Sequence, residues 1–308
     1  MSKSLSNVPD VLYYADSAPL TQKDIESALI SIGINKGDVI MVHSDISSFG
    51  KLGASSRNSL LAALLESLKK SVGKNGTIIM PAFTYSFFKN KPYDIKNSNS
   101  AVGVLTEYFR NQQDVVRTIQ PNHSVAIWGR HNKYLSEIGK DSFDESSIFG
   151  KLHKMNGKIV FLGVPFHKSC TFVHYIEQIH GVPYRHIKKF KCRIILEDKE
   201  YEDEFSIYYR YSFFFNSMSG LEEHLTKKGL LKEVKVGNGK IAMVECSRLF
   251  KEGYKLLDKD AYFLLKKEPF IFKLFNYGMY PFLRYMQLPL KIADYFISRF
   301  LNKFVFHN

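Results

Sequence analysis

Four short apolar runs, each followed by a loop and separated from the next by helical patterning, limit what this chain can fold into more than any other feature. They are Asp38–Ser44, Gly76–Pro81, Ser124–Trp128 and Lys158–Leu162. Their central residues are apolar without alternation, as in strands covered on both faces. Between them lie amphipathic segments. Thr21, with Asp24 three residues on, opens a helix in which Ile25, Ala28, Leu29 and Ile32 recur at helical spacing up to Gly33. A second helix is expected from about Asn58 to Val72, stopped by Gly73, and shorter ones near Val104–Arg110 and Ser147–Met155. Strand, loop, helix, strand is a crossover unit, and its repetition predicts an α/β core sheet flanked by helices. Beyond Pro183 the rhythm changes. Strand-like stretches at Cys192–Leu196 and Ile241–Glu245, with a helix near Leu221–Lys228 between them, predict a smaller mixed α+β lobe.

The last fifty residues differ in kind, since fourteen are Phe or Tyr interleaved with Lys and Arg. Residues 259–308 are therefore expected to form an aromatic-rich extension of a domain spanning 1–258. Such a segment covers a surface, which is its own domain, a sister subunit in a homodimer, or an anionic membrane that it contacts peripherally. Nucleic acid is disfavoured, because no RNP-like or zinc motif frames the aromatics. The net charge of +13 is not confined to this tail, where eight Lys and Arg face three acids, and it disfavours a cationic substrate. Three cysteines, Cys170, Cys192 and Cys246, lack CxxC spacing and suggest neither a disulfide framework nor a zinc cage. The polar start Met1–Asp10 and the lack of any stretch of ~18 uncharged apolar residues predict a cytoplasmic protein.

The chemistry concentrates in three places. In Thr171–Gln178, His174 and Glu177 are three residues apart, so a helix sets them on one surface, where a carboxylate can orient an imidazole as a general base. The strand Lys158–Leu162 just before delivers this pair to a strand's carboxyl end, where open α/β sheets keep their sites. The loop His43, Ser44, Asp45, Ile46, Ser47, Ser48, Phe49, Gly50 presents hydroxyls and backbone N–H groups ahead of a helix. It either holds phosphates or the amides of a long cofactor arm, or is simply a capped crossover. It matches neither GxGxxG nor GxxxxGK[ST]. The third place is Arg117 with Pro121, Asn122, His123 and Ser124, where Arg117 can clamp an anion and His123 is either a second proton carrier or a structural loop histidine. His180 turns ~120° away from His174 on a helix and HExxH is absent, which argues against a metal.

Taken in order, Val42-His43-Ser44, Gly76–Pro81, Arg117 with Pro121-Asn122-His123-Ser124, Gly157–Gly163 and Thr171–Glu177 followed by Val182-Pro183-Tyr184 resemble the aminoglycoside 3-N-acetyltransferase family. The resemblance runs from about Thr21 to Lys191. It implies direct acyl transfer from acyl-CoA without a metal. His174 is then the base, oriented by Glu177, Thr171 or backbone N–H groups stabilise the oxyanion, and the Ser44–Gly50 loop and the Arg117 region through Ser124 line the acyl-CoA site. Cys170 beside Thr171 permits a rival route through an acyl-cysteine.

Two departures bear on the acceptor. Enzymes that accept polycations tend to gather acidic residues, whereas this chain is basic, and an acidic motif expected after Val182-Pro183-Tyr184 is replaced by Ser206–Tyr211, rich in Tyr and Arg. A nucleotide-linked amino sugar, such as a dTDP-3-amino-3,6-dideoxyhexose used for polysaccharide, is the expected acceptor. The alternatives are an aminoglycoside acetyltransferase conferring antibiotic resistance and a non-catalytic basic nucleic-acid or membrane-binding protein.

Overall fold

A computed structural model describes residues 11–16, 18–211 and 214–266. The helix Gln22–Ser31 starts at the expected capping box, in which the Asp24 N–H donates to Thr21 Oγ1 at 3.3 Å and the Thr21 N–H donates to Asp24 Oδ2 at 2.8 Å. The helix Arg57–Val72 is capped by Ser56 and stops at Gly73, whose φ of 68° is a conformation glycine adopts without steric cost.

The four apolar runs become Val39–Ser44, Thr77–Pro81, Val125–Gly129 and Lys158–Leu162 of one seven-stranded sheet. From edge to edge its order is Lys232–Val236, Gly239–Glu245, Lys158–Leu162, Val39–Ser44, Thr77–Pro81, Val125–Gly129, Val116–Arg117. The three central strands are parallel and the two on either side run antiparallel. Because side chains alternate along a strand, Met41, Ile79 and Phe161 enter one core and Val42, Met80 and Leu162 the other. Helices Gln22–Ser31, Arg57–Val72 and Val104–Arg110 cover the second face; Ile148–Lys154, Phe172–His180 and Cys246–Lys259 cover the first. Each fully buried Phe, Leu or Ile contributes ~1.5–3 kcal/mol, so the two cores carry the fold.

The expected smaller lobe is realised differently. Gly239–Glu245 does not belong to it but pairs with Lys158–Leu162 in the main sheet, since Ile241–Val244 is apolar on both faces like the central strands. What stands apart is a long hairpin, Arg185–Leu196 with Lys199–Arg210, joined to Tyr93–Asp94 in a three-stranded sheet. Its turn residues Glu197 and Asp198 both have positive φ, 49° and 62°, as a tight two-residue hairpin needs. Phe190, Ile194 and Phe205 turn inward, while Lys189, Lys191 and Arg193 pair outward with Glu204, Glu202 and Glu200 at 3.1–3.3 Å. Exposed pairs are worth ~0.2–1 kcal/mol each, so they favour register more than stability.

Of the aromatic extension, residues up to 266 are described: Leu264 and Leu265 are buried and Tyr262 packs on Tyr184. The expected membrane and sister-subunit contacts of the remainder fall outside the described residues. No helix among the described residues is long and apolar enough to cross a membrane.

Candidate active site

After Leu162 the chain must pass close to the Asp45–Phe49 turn. Gly163, with φ 77°, makes this possible, for a Cβ there would stand 2.3 Å from the Asp45 carbonyl oxygen. A single turn, Phe166–Ser169, then leads into the helix Phe172–His180, where His174 and Glu177 lie on one surface as the spacing predicts. Nδ1 of His174 is 2.6 Å from Glu177 Oε2. Glu177 is 1% exposed, and its other oxygen accepts from the Tyr184 hydroxyl at 2.7 Å. A fourth group completes the cluster: Arg185 places Nε 2.9 Å from Glu177 Oε2 as an ion pair and donates through its guanidinium to the Tyr208 carbonyl at 3.1 Å. Burial opposes the charge on Glu177, but Arg185 and then His174 outweigh it and hold the carboxyl at about 2. A charged carboxylate at 2.6 Å can only accept, so Nδ1 carries the proton and Nε2 keeps the lone pair a base needs. Burial, followed by the Arg185 charge, holds the His174 pKa below its ordinary value despite Glu177.

The other predicted residues separate into those that face open space and those that do not. A cavity of about 210 Å³ at the carboxyl ends of the parallel strands is lined by His43, Ser44, Pro81 and Thr171, and Thr171 stands one turn before His174. A cleft of about 690 Å³ shares Ser44 with it and is lined further by Asp45, Ser47, Gly50 and Arg57. Ring-on-ring against Phe161 at 5.8 Å, His43 has its pKa lowered by burial to about 4, and its Nε2 has no hydrogen-bond partner among the described residues.

Five of the residues expected at the site are engaged within the fold. Phe49 is fully buried against Tyr13 in the core, where a large apolar ring gains more than at a ligand. The Ser48 hydroxyl turns inward, donating to the Asp45 carbonyl at 3.0 Å. Arg117 is held from within: its guanidinium donates to the carbonyls of Ser98 at 2.5 Å, Ala82 at 2.6 Å and Ile95 at 3.3 Å, and lies over the Tyr93 ring. Ser124 is fully buried and donates to the same Ala82 carbonyl at 2.6 Å. His123 is caged by Phe83, Tyr85 and Phe143 at 4.7–6.0 Å, and burial first, then the nearby His174 when protonated and the Arg185 charge, take it to about 3, so near neutrality the ring is neutral and only weakly basic. Arg117→Met is accordingly expected to cost about 2–4 kcal/mol, read as a lower Tm, with CoA affinity within about twofold of wild type. A large affinity loss in a fully stable variant would return Arg117 to the ligand.

Three contributors had no sequence signal strong enough to mark them. Arg185 sits in a basic run whose later members are exposed, and nothing in its periodicity sets it apart. Phe143, edge-on to His174 at 5.5 Å, comes from a loop. Arg57 is the first residue of a helix whose other features are ordinary.

Three comparisons with known proteins bear on this geometry. The family model described as aminoglycoside 3-N-acetyltransferase matches residues 41–258. The SPbeta prophage-derived aminoglycoside N(3')-acetyltransferase-like protein YokD of Bacillus subtilis (strain 168) is 30% identical over 211 residues, 61% of this chain and 75% of that protein. Aminoglycoside N(3)-acetyltransferase IV of Salmonella sp is 27% identical over 182 residues, 56% of this chain and 63% of that protein. Among solved structures, AAC-IIIb in binary complex with CoASH has the same fold, with a TM-score of 0.66 at 20% identity over 78% of this chain and 96% of that one.

Proposed function

The chain belongs to the aminoglycoside 3-N-acetyltransferase family and is an N-acyltransferase, and from that footing we propose that it moves an acetyl group from acetyl-CoA to an amine of an aminoglycoside. The observation that carries the mechanism is the 2.6 Å contact between His174 Nδ1 and Glu177 Oε2, in which a charged carboxylate assigns the proton to Nδ1. The acceptor reacts as its neutral amine. As the nitrogen bonds to the thioester carbonyl carbon, His174 Nε2 takes one N–H proton from it, the C–S bond of the tetrahedral intermediate then breaks, and CoA leaves as thiolate, to be protonated by the imidazolium. Thr171, at the cavity wall, supports the oxyanion with backbone N–H groups. The larger cleft suits the CoA arm in size and chemistry, with the Ser44 and Ser47 hydroxyls along it and the Arg57 charge for phosphate.

The sequence led to a nucleotide-linked amino sugar as acceptor. The relatives' names support an aminoglycoside instead. One feature keeps the nucleotide-linked reading alive as the second: the charges that reach His174 from outside its own helix are those of Arg185 and Arg210, which disfavour a polycation beside the base. A thiol-release assay with acetyl-CoA separates the two, using gentamicin-like amines against a dTDP-linked amino sugar. Release with the former alone supports the main reading; release with the latter alone replaces it.

The acyl-cysteine route makes its own demand. Cys170 is fully buried, and desolvation drives its thiol far above the usual range, so no thiolate is on hand. Cys170→Ala is expected to keep kcat within about threefold of wild type, since only a small buried side chain is trimmed. Loss of turnover in a stable variant, with no acyl adduct seen by mass spectrometry in the parent, would still leave direct transfer intact; an adduct on Cys170 would not.

A further inference from the structure

We infer that Arg185 is a positioning residue of the acyl-transfer site, holding Glu177 as a carboxylate and His174 as a neutral Nδ1–H imidazole. In the usual histidine–carboxylate pair the acid favours the imidazolium, because its charge is unopposed. Here it is opposed. The guanidinium stands 2.9 Å from Glu177 Oε2, the same oxygen that takes the His174 proton, and its terminal nitrogen is 3.1 Å from His174 Nδ1. With Nδ1 already a donor, that last approach cannot be a hydrogen bond, and it sets a fixed positive charge against any second proton on the ring.

Arg185 is anchored for this task. Its side chain is 6% exposed, and it donates to the Tyr208 carbonyl at 3.1 Å and to Asn216 Oδ1 at 3.3 Å. The other charged or titratable groups that bear on His174 are Glu177 on its own helix, Arg210 on the second hairpin strand and His123 on the loop before Val125–Gly129. His123 stays neutral near pH 7 and Arg210 adds to the effect of Arg185. Glu177 is therefore the one group favouring imidazolium, and Arg185 is the partner that offsets it. The result is a base that is deprotonated when the amine arrives, at the cost of some basicity.

The catalytic consequence rests on the acetyl-transfer reading; the electrostatic claim does not. The test uses the full-length protein labelled with 15N and 13C at histidine. In the wild type, the 15N shifts of His174 are expected to report Nδ1–H throughout the neutral range. An Nε2–H tautomer, with Arg185 donating to Nδ1, would overturn the inference without any variant. In Arg185→Gln the His174 titration midpoint is expected to rise, and in Arg185→Lys to rise less. In Arg185→Gln the loss of kcat/KM is expected to be several-fold greater near pH 6 than near pH 8.5, because a raised midpoint leaves less of the ring neutral at the lower pH and makes no difference at the higher one. Equal losses at both pH values, or an unmoved midpoint in a folded Gln variant, would mean a merely structural arginine. If the wild type failed to transfer acetyl at all, the functional reading would fall while the NMR result still decided the tautomer.

Discussion

His174→Ala is expected to lower kcat for acetyl transfer by about 10³, within the ~10²–10⁴ that a positioned general base supplies. The acetyl-CoA KM should stay close to wild type, because the cleft that fits the CoA arm is lined from the Ser44–Gly50 turn and Arg57, not from this ring. Stability should fall by about 1–3 kcal/mol, since alanine removes the 2.6 Å donor to the buried Glu177 carboxylate while Arg185 and Tyr184 stay in place. The pH profile adds a second check. In the wild type the acid limb follows protonation of His174, which burial and Arg185 hold below the ordinary histidine range, so activity persists to lower pH than a free imidazole would allow. In the variant that limb should vanish with the base. Retention of kcat within tenfold of wild type, with a normal CoA KM, would remove His174 from the chemistry.

How much of this was legible depends on the range of the interaction that decides each feature. The central strands announce themselves because burial on both faces leaves a local trace, an unbroken apolar run, and the helix starts do so because Thr21 and Ser56 cap the turn beside them. The His174–Glu177 pair was readable for the same reason, both members lying on one helical turn. The strand Lys199–Arg210 was not, because its charged outer face, Glu200, Glu202 and Glu204, makes sense only opposite Arg193, Lys191 and Lys189. The internal partners of Arg117 were not readable either. A guanidinium before a strand reads as an anion clamp until the carbonyls of Ala82, Ile95 and Ser98, at least nineteen residues away in the chain, are seen to take it. Arg185 was hidden by its neighbours: its partners are Glu177, Tyr208 and Asn216, and no spacing in the sequence relates them.

The protein is also expected to lose much of its stability in mild acid, with His43 and His123 as the main cause. Both are buried, 8% and 7% exposed, and burial is the first reason their pKa values fall, to about 4 and about 3. In the unfolded chain both titrate near ~6.5. Their folded values are depressed, so the stability linked to them is fully present above ~6.5 and is lost as pH falls toward 4 for His43 and 3 for His123. By pH ~5 each histidine has removed about 2 kcal/mol of the stability present well above ~6.5, and the pair about 4, against a typical total of ~5–15 kcal/mol. Glu177, held at about 2, begins to add to this only below the ordinary carboxylate range. Fluorescence of Trp128, the single tryptophan, can follow the transition from within the sheet strand Val125–Gly129. His123→Phe isolates one contributor, since a phenyl ring suits the cage of Phe83, Tyr85 and Phe143 and takes up no proton. Near pH 7 the variant should lie within about 1.5 kcal/mol of wild type, as isosteric core exchanges do, and near pH 5 it should have gained about 2 kcal/mol relative to wild type. Identical acid midpoints for variant and wild type would show that His123 does not titrate differently in the folded and unfolded chains, and the acid sensitivity would have to come from elsewhere.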